Sequence, residues 1–155
     1  MKKIYLAYGS NLNLLSMEYR CKKAVPIGSS VLKNYRLVYK GSADGYAYLT
    51  IEPAKEFYVP IGVFNISFFD EFRLNKYEGY PKLYYKEYLP INVNDKEEKG
   101  LIYIMNNNFA YHLPSDNYID TCMIGYEYFG FNKEVLDEAY EYTKRKILTN
   151  SNTRK

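Results

Sequence analysis

Apolar positions recur along this chain in two patterns. Short runs rich in Tyr, Val, Ile and Leu, bounded by Gly, Pro, Asn or Asp, read as strands over residues 4–8, 31–39, 45–51, 58–65, 84–93 and 100–105. Helical spacing takes over at 11–20, where Leu12, Leu15 and Tyr19 share a face and Asn11 or Asn13 can cap it. A second helix starts at Ser67 or Asp70, carries Phe69, Phe72, Arg73 and Lys76 at helical spacing, and is stopped by Gly79. A charged turn spans 94–99, and an Asn-rich loop at 106–115 leads into a short helix over 116–124. The last helix is expected over 133–148. Asn132 is its N-cap, Phe131 and Leu136 form a hydrophobic staple, and Lys144, Arg145 and Lys146 complement its C-terminal dipole. Residues 149–155 form a polar tail that is expected to fray. Strands so close in sequence favour antiparallel pairing, and with no repeat or linker in view the expectation is one α+β domain over 1–148.

Composition narrows the function classes. The 21 basic residues are scattered among 18 acidic ones, for a net charge of +3, which leaves no basic track for a nucleic acid. No apolar run reaches the length of a membrane span, and Lys2-Lys3 lead straight into a strand rather than a secretory signal, so the expected compartment is the cytoplasm. Cys21 and Cys122 are too few for a cysteine-built zinc site and read as two reduced thiols. The chain holds 20 Tyr and no Trp. That surplus fits compositional drift, and also stacking surfaces for sugars or bases.

Candidate chemistry is sparse. Ser10 in "YGSNL" would need a base, His112 is the sole imidazole, and the Gly-x-Ser-x-Gly spacing of a nucleophile elbow is missing. Metal-ligand and phosphate-loop spacings are absent. The break of a strand into Gly9-Ser10-Asn11 before a helix is either an ordinary connection or a set of backbone N–H groups open to an anion. Glu78, between Tyr77 and Gly79 in "LNKYEGYP", is either a helix-ending surface carboxylate or a proton carrier whose acidity is weakened by aromatic surroundings.

Four motifs occur in order: "YLAYGSNL", "LNKYEGYP" followed by "YY", "GLIYIM" and "PSDNYIDTCMIGYEYFGF". Together they resemble the γ-glutamylcyclotransferase family and its AIG2-like relatives over most of the chain. The resemblance implies a small mixed β-barrel with surrounding helices and a cofactor-free, metal-free reaction that releases 5-oxoproline from a small γ-glutamyl substrate. It implies that Glu78 is the acid/base residue, that the loop Tyr8, Gly9, Ser10, Asn11 and Leu12 holds the γ-glutamyl group, and that Tyr85, Tyr103 and Tyr118 surround it. For Tyr85 barrel packing stays open, because Tyr84 is its neighbour and a register shift of one exchanges their faces. A γ-glutamylamine-specific or biosynthetic deprotecting enzyme, an inactive AIG2-like binding module, and a tyrosine-rich sugar or nucleotide binder are the competing readings.

Overall fold

The computed structural model describes residues 2–153. Six strands form one sheet: β1 (Lys3–Ala7), β2 (Val25–Gly41), β3 (Ala47–Ile66), β4 (Tyr84–Val93), β5 (Lys96–Met105) and β6 (Ala110–Tyr111). Their order is β4-β5-β1-β3-β2-β6. All neighbours are antiparallel except β1 and β5, which run parallel with Tyr5 opposite Leu101. The sheet is therefore mixed, and it curls into a half-barrel. Ser30 Oγ on β2 donates to the Asn92 carbonyl on β4, and Asn94 Nδ2 reaches the Ile27 carbonyl at 3.3 Å. Inside the curl lie Leu6, Val59, Ile61, Val63 and Ile102, all fully buried. Each such side chain contributes about 1.5–3 kcal/mol of burial.

Two strands are longer than their sequence suggests. Residues 45–51 and 58–65 read as separate because Pro53 and a charged run divide them, yet both belong to β3. Pairing with β2 breaks off at Tyr35↔Pro53 and resumes at Lys33↔Tyr58. Asn34 and Glu56 absorb the excursion at positive φ (67° and 72°), and Asn34 Oδ1 accepts the Glu56 N–H at 3.1 Å. The expected turn over 94–99 contracts to Asn94-Asp95, both at positive φ, as a two-residue hairpin demands. The expected loop at 106–115 contains β6, which extends the sheet edge along Lys40 and Gly41.

The helices are α1 (Leu14–Arg20), α2 (Phe68–Tyr77), α3 (Asp116–Phe129) and α4 (Glu134–Thr153). The single helix expected over 11–20 is split: Ser10–Leu12 is a 3-10 turn, and Asn13 caps α1 by accepting the Ser16 N–H. α2 starts with a complete capping box, in which Ser67 and Asp70 each accept the other's backbone N–H. Glu71 ties it to β1 and β4 through Lys3 (2.7 Å) and Lys86 (2.8 Å). α3 continues five residues beyond the expected end and stops at Gly130, whose φ is 73°. In α4, Asn132 Oδ1 accepts the Glu134 N–H as expected. Phe131 stacks on Phe129 and meets Tyr126 edge-on. Residues 149–153 are helical rather than a frayed tail, so Lys144, Arg145 and Lys146 lie inside the helix and not at its end; residues 154 and 155 fall outside the described part. Among the described residues no helix is long and apolar enough to cross a membrane.

Helical spacing located α1 and α2 but not the direction their apolar faces point. Leu15 and Tyr19 are 79% and 88% exposed, and Phe69 and Phe72 are 70% and 56% exposed. Each helix buries one apolar side chain, Met17 in α1 and Leu74 in α2, and polar contacts do the rest: the caps, the Glu71 ion pairs, and Asp70, whose carboxylate also accepts the Lys23 N–H at 3.4 Å.

Candidate active site

Where β1 ends and the 3-10 turn begins, the half-barrel encloses a cavity of roughly 200 Å³. Its walls are strongly aromatic, with Tyr5, Tyr8, Tyr48, Tyr77, Tyr84, Tyr103 and Tyr118 around Gly9, Ser10, Asn11, Leu49, Leu83 and Glu78. Glu78 arrives from the C-cap of α2, where the chain turns away at Gly79 with φ 63°. Burial of its carboxyl raises the pKa to about 7, although Arg20 and a hydrogen bond from Asn11 pull the other way. Near neutral pH this group exists as both carboxylate and carboxylic acid.

A polar network joins Glu78 to the turn. Arg20, at the end of α1, lies over the Tyr77 ring at 3.5 Å and donates to Asn11 Oδ1 and, at 3.3 Å, to Ser10 Oγ. Asn11 Nδ2 donates to Glu78 Oε1 at 3.3 Å and to the Tyr5 hydroxyl at 2.8 Å. Ser10 Oγ and the Tyr77 hydroxyl share a hydrogen bond of 3.2 Å. The turn's own hydrogen bonds begin at the Leu12 N–H, which donates to the Gly9 carbonyl, so the amides ahead of it are the ones a helix start leaves over. Across the cavity Tyr118 accepts the Leu49 N–H at 3.0 Å, and a side chain at Gly9 would press against its hydroxyl.

Of the residues singled out in the sequence, Tyr8, Gly9, Ser10, Asn11, Glu78, Tyr103 and Tyr118 come together on this wall. Two do not. Leu12 is fully buried below the turn, packed toward Gly62 and Gly125, and serves the core. Tyr85 faces away from the cavity, and its neighbour Tyr84 takes the place on the wall, with its hydroxyl donating to the Leu49 carbonyl at 2.8 Å. The pairing Tyr84↔Met105 sets that alternation. Ser10 has no histidine partner; His112 lies at the surface, 3.2 Å from Asp44. Both cysteines are buried free thiols, pushed up to about 12 by desolvation.

Tyr5, Arg20 and Tyr77 join the site as well. Tyr77 neighbours Glu78 and was readable from that alone. Tyr5 lies among strand residues like any core tyrosine, and Arg20 ends a helix. Only the fold brings both to Asn11.

The family described as gamma-glutamyl cyclotransferase, AIG2-like, matches residues 5–121. The chain belongs to that family. Its fold is shared with solved structures at low identity. One described as gamma-glutamyl cyclotransferase has TM-score 0.77 and 20% identity, with 90% of this chain and 86% of that one covered. A Homo sapiens protein described as uncharacterized has TM-score 0.74 and 21% identity, over 93% of this chain and 85% of that one. YkqA from Bacillus subtilis has TM-score 0.73 and 16% identity, over 92% of this chain but 54% of its own length. No curated protein sequence matches the chain. In this gamma-glutamyl cyclotransferase, AIG2-like chain the residues that join the cavity come from both ends of the matched region, Tyr5 and Tyr118 included.

Proposed function

We propose that this chain is a γ-glutamylcyclotransferase that converts a γ-glutamyl amide into 5-oxoproline and a free amine, with Glu78 as the proton carrier. The observation that carries the reading is a carboxyl buried in a tyrosine-walled cavity, beside the turn that the family match includes, with its pKa raised to about 7. The substrate brings its own nucleophile. Its α-nitrogen attacks the γ-carbonyl carbon, a five-membered ring closes, and the old C–N bond breaks. Over the reaction the ring nitrogen sheds two protons and the departing nitrogen gains them when it leaves as an ammonium. A single group that is both base and acid near pH 7 is suited to carry them in turn. The cavity holds the substrate folded for attack, and such intramolecular geometry is worth about 7–11 kcal/mol of the barrier.

The walls support the rest of the reading. Ser10, Asn11 and the leftover amides of the turn offer donors to the glutamyl carboxylate, with Arg20 stationed behind them. Among the described residues no Lys, Arg or His lines the cavity. A leaving group without a negative charge suits such walls best, which favours γ-glutamylamines among the substrate classes. The test is 5-oxoproline release from γ-glutamyl amino acids and γ-glutamyl amines by the native chain and by Glu78→Gln. Turnover by the native chain, reduced at least 10²-fold in the variant, is the expected result. Equal release by the two proteins, with substrate bound by both, overturns the role of Glu78 and favours a binding module.

A further inference from the structure

Cyclisation needs a second group beside the proton carrier. When the α-nitrogen stands about 3–3.5 Å from the γ-carbonyl carbon, the carbonyl oxygen lies close to the base that deprotonated the amine. That oxygen becomes an oxyanion and requires a preorganised donor. Each cavity tyrosine has one proton to give, so the donors can be counted. Tyr8 gives its proton to the Tyr103 carbonyl at 2.5 Å, Tyr84 to the Leu49 carbonyl at 2.8 Å, and Tyr103 to Asn75 Oδ1 at 2.7 Å. Tyr118 and Tyr48 form an edge-on pair, centroids 5.3 Å apart, on the Leu49 side of the cavity.

The Tyr77 hydroxyl shares its hydrogen bond with Ser10 Oγ, and Tyr118, like Tyr5, accepts from an N–H, but from that of Leu49 across the cavity; Tyr5 is the acceptor that stands beside Glu78. Its hydroxyl accepts from Asn11 Nδ2 at 2.8 Å and has no other hydrogen-bond partner among the described residues, so its own proton is uncommitted. The same nitrogen reaches Glu78 Oε1 at 3.3 Å, which sets the Tyr5 hydroxyl and the carboxylate on either side of one amide group. The orientation of that amide is forced. Arg20 has only donors, so Asn11 turns its oxygen to the guanidinium and its NH2 to Tyr5 and Glu78. A chain of hydrogen bonds pointing one way polarises its last member. Here the order is Arg20, Asn11, Tyr5.

Building on the cyclotransferase reading above, we propose that Tyr5 is a catalytic residue whose hydroxyl donates to the γ-carbonyl oxygen as it becomes an oxyanion, and that Arg20 is the positioning residue that orients and polarises it through Asn11. Burial and the nearby Glu78 charge hold the Tyr5 phenol well above its ordinary range, so it keeps its proton wherever Glu78 is ionised. The interaction strengthens as negative charge develops, so its loss falls on kcat and not on KM.

Steady-state release of 5-oxoproline by Tyr5→Phe, Arg20→Met and the double variant tests the proposal, with Glu78→Gln run alongside. Tyr5→Phe is expected to lower kcat about 10²-fold at nearly unchanged KM, the usual cost of one oxyanion donor. Arg20 also lowers the Glu78 pKa, so the Arg20 variants are compared at pH 9, where Glu78 is ionised in all of them; there Arg20→Met is expected to lower kcat about tenfold in the native background and hardly at all once Tyr5 is Phe. Native kcat in folded Tyr5→Phe, or a loss confined to KM, overturns the role of Tyr5. Equal losses from Arg20→Met in both backgrounds overturn the relay. Should Tyr5→Phe fail to fold, Arg20→Met decides: a kcat loss at unchanged KM supports the proposal and native kcat overturns it. If the native chain turns over none of the substrates, the cyclotransferase reading fails and this proposal fails with it. Native turnover abolished by Glu78→Gln but untouched by Tyr5→Phe defeats the Tyr5 assignment alone.

Discussion

Glu78 ties activity and stability to pH in opposite directions. As a base it must lose its proton, so kcat/KM should rise with pH along a limb centred near its pKa of about 7. For stability the folded value of about 7 lies above the ordinary 4.5. Between those two pH values the native state keeps a proton that the unfolded chain has released, so stability is fully present below the lower value and declines as pH rises through the upper one. Glu78→Gln removes that decline. Its melting temperature should match the native chain's near pH 4 and exceed it by roughly 7–14 °C at pH 8, at about 1.4 kcal/mol per pKa unit and 2–4 °C per kcal/mol for a domain of this size. Thermal melts of both proteins across pH 4–8 check this, and parallel curves would mean that the carboxyl is not desolvated.

At the scale of the element, α2 is the lever that delivers Glu78. Its N-terminus is secured by Asp70, which is fully buried, accepts the Ser67 N–H at 2.9 Å and the Lys23 N–H at 3.4 Å, and offers its own carbonyl to the Cys21 thiol. Asp70→Ala strips two backbone amides, those of Lys23 and Ser67, of their acceptor. A cost of about 2 kcal/mol is expected, seen as a melting temperature lower by about 4–8 °C. Because the far end of the helix carries Glu78, the surviving folded protein should also show a lower kcat. Asp70→Asn retains one acceptor and is expected to fall between the two; equal melting temperatures for all three would remove the cap from the account of α2.

At the scale of the whole molecule, the cavity depends on α3 pressing against the 3-10 turn. Asn13 Nδ2 donates to the Thr121 carbonyl at 3.2 Å, and the Tyr126 hydroxyl donates to the Tyr8 carbonyl at 3.2 Å. The approach is close enough that a Cβ on Gly125 would stand 2.5 Å from the Leu12 carbonyl carbon. Gly125→Ala must therefore push the helix off the turn and overpack the core. A cost of about 1–3 kcal/mol is expected, with a rise in KM as Ser10 and Asn11 shift. Calorimetry and steady-state kinetics measure the two effects. An unperturbed KM would mean that the turn holds its shape without α3.

Alternation, caps and turn residues, acting within a few positions of each other, made most of the elements legible in the sequence: β1, α2, β4, β5 and the start of α4 stand where local signals put them. Four motifs in order carried the family. The bulged union of 45–51 and 58–65 into β3 was not legible, because pairing with β2 bridges a charged excursion that by itself looks like a chain break. Neither were the outward faces of Leu15, Tyr19, Phe69 and Phe72, since helical spacing says which residues share a face and not what that face meets. In the site, local context left Glu78 and the Tyr8 to Asn11 loop open and the family resemblance singled them out, while the choice of Tyr84 over Tyr85 waited on strand register. The joining of Tyr5 and Arg20 to Tyr77 and Glu78 waited on packing across roughly 60–70 positions of the chain. The acidity of Glu78 has the same origin. A carboxyl in sequence has its ordinary pKa, and it is the closing of the half-barrel, by removing water from around it, that makes it a group able to take and return a proton at neutral pH.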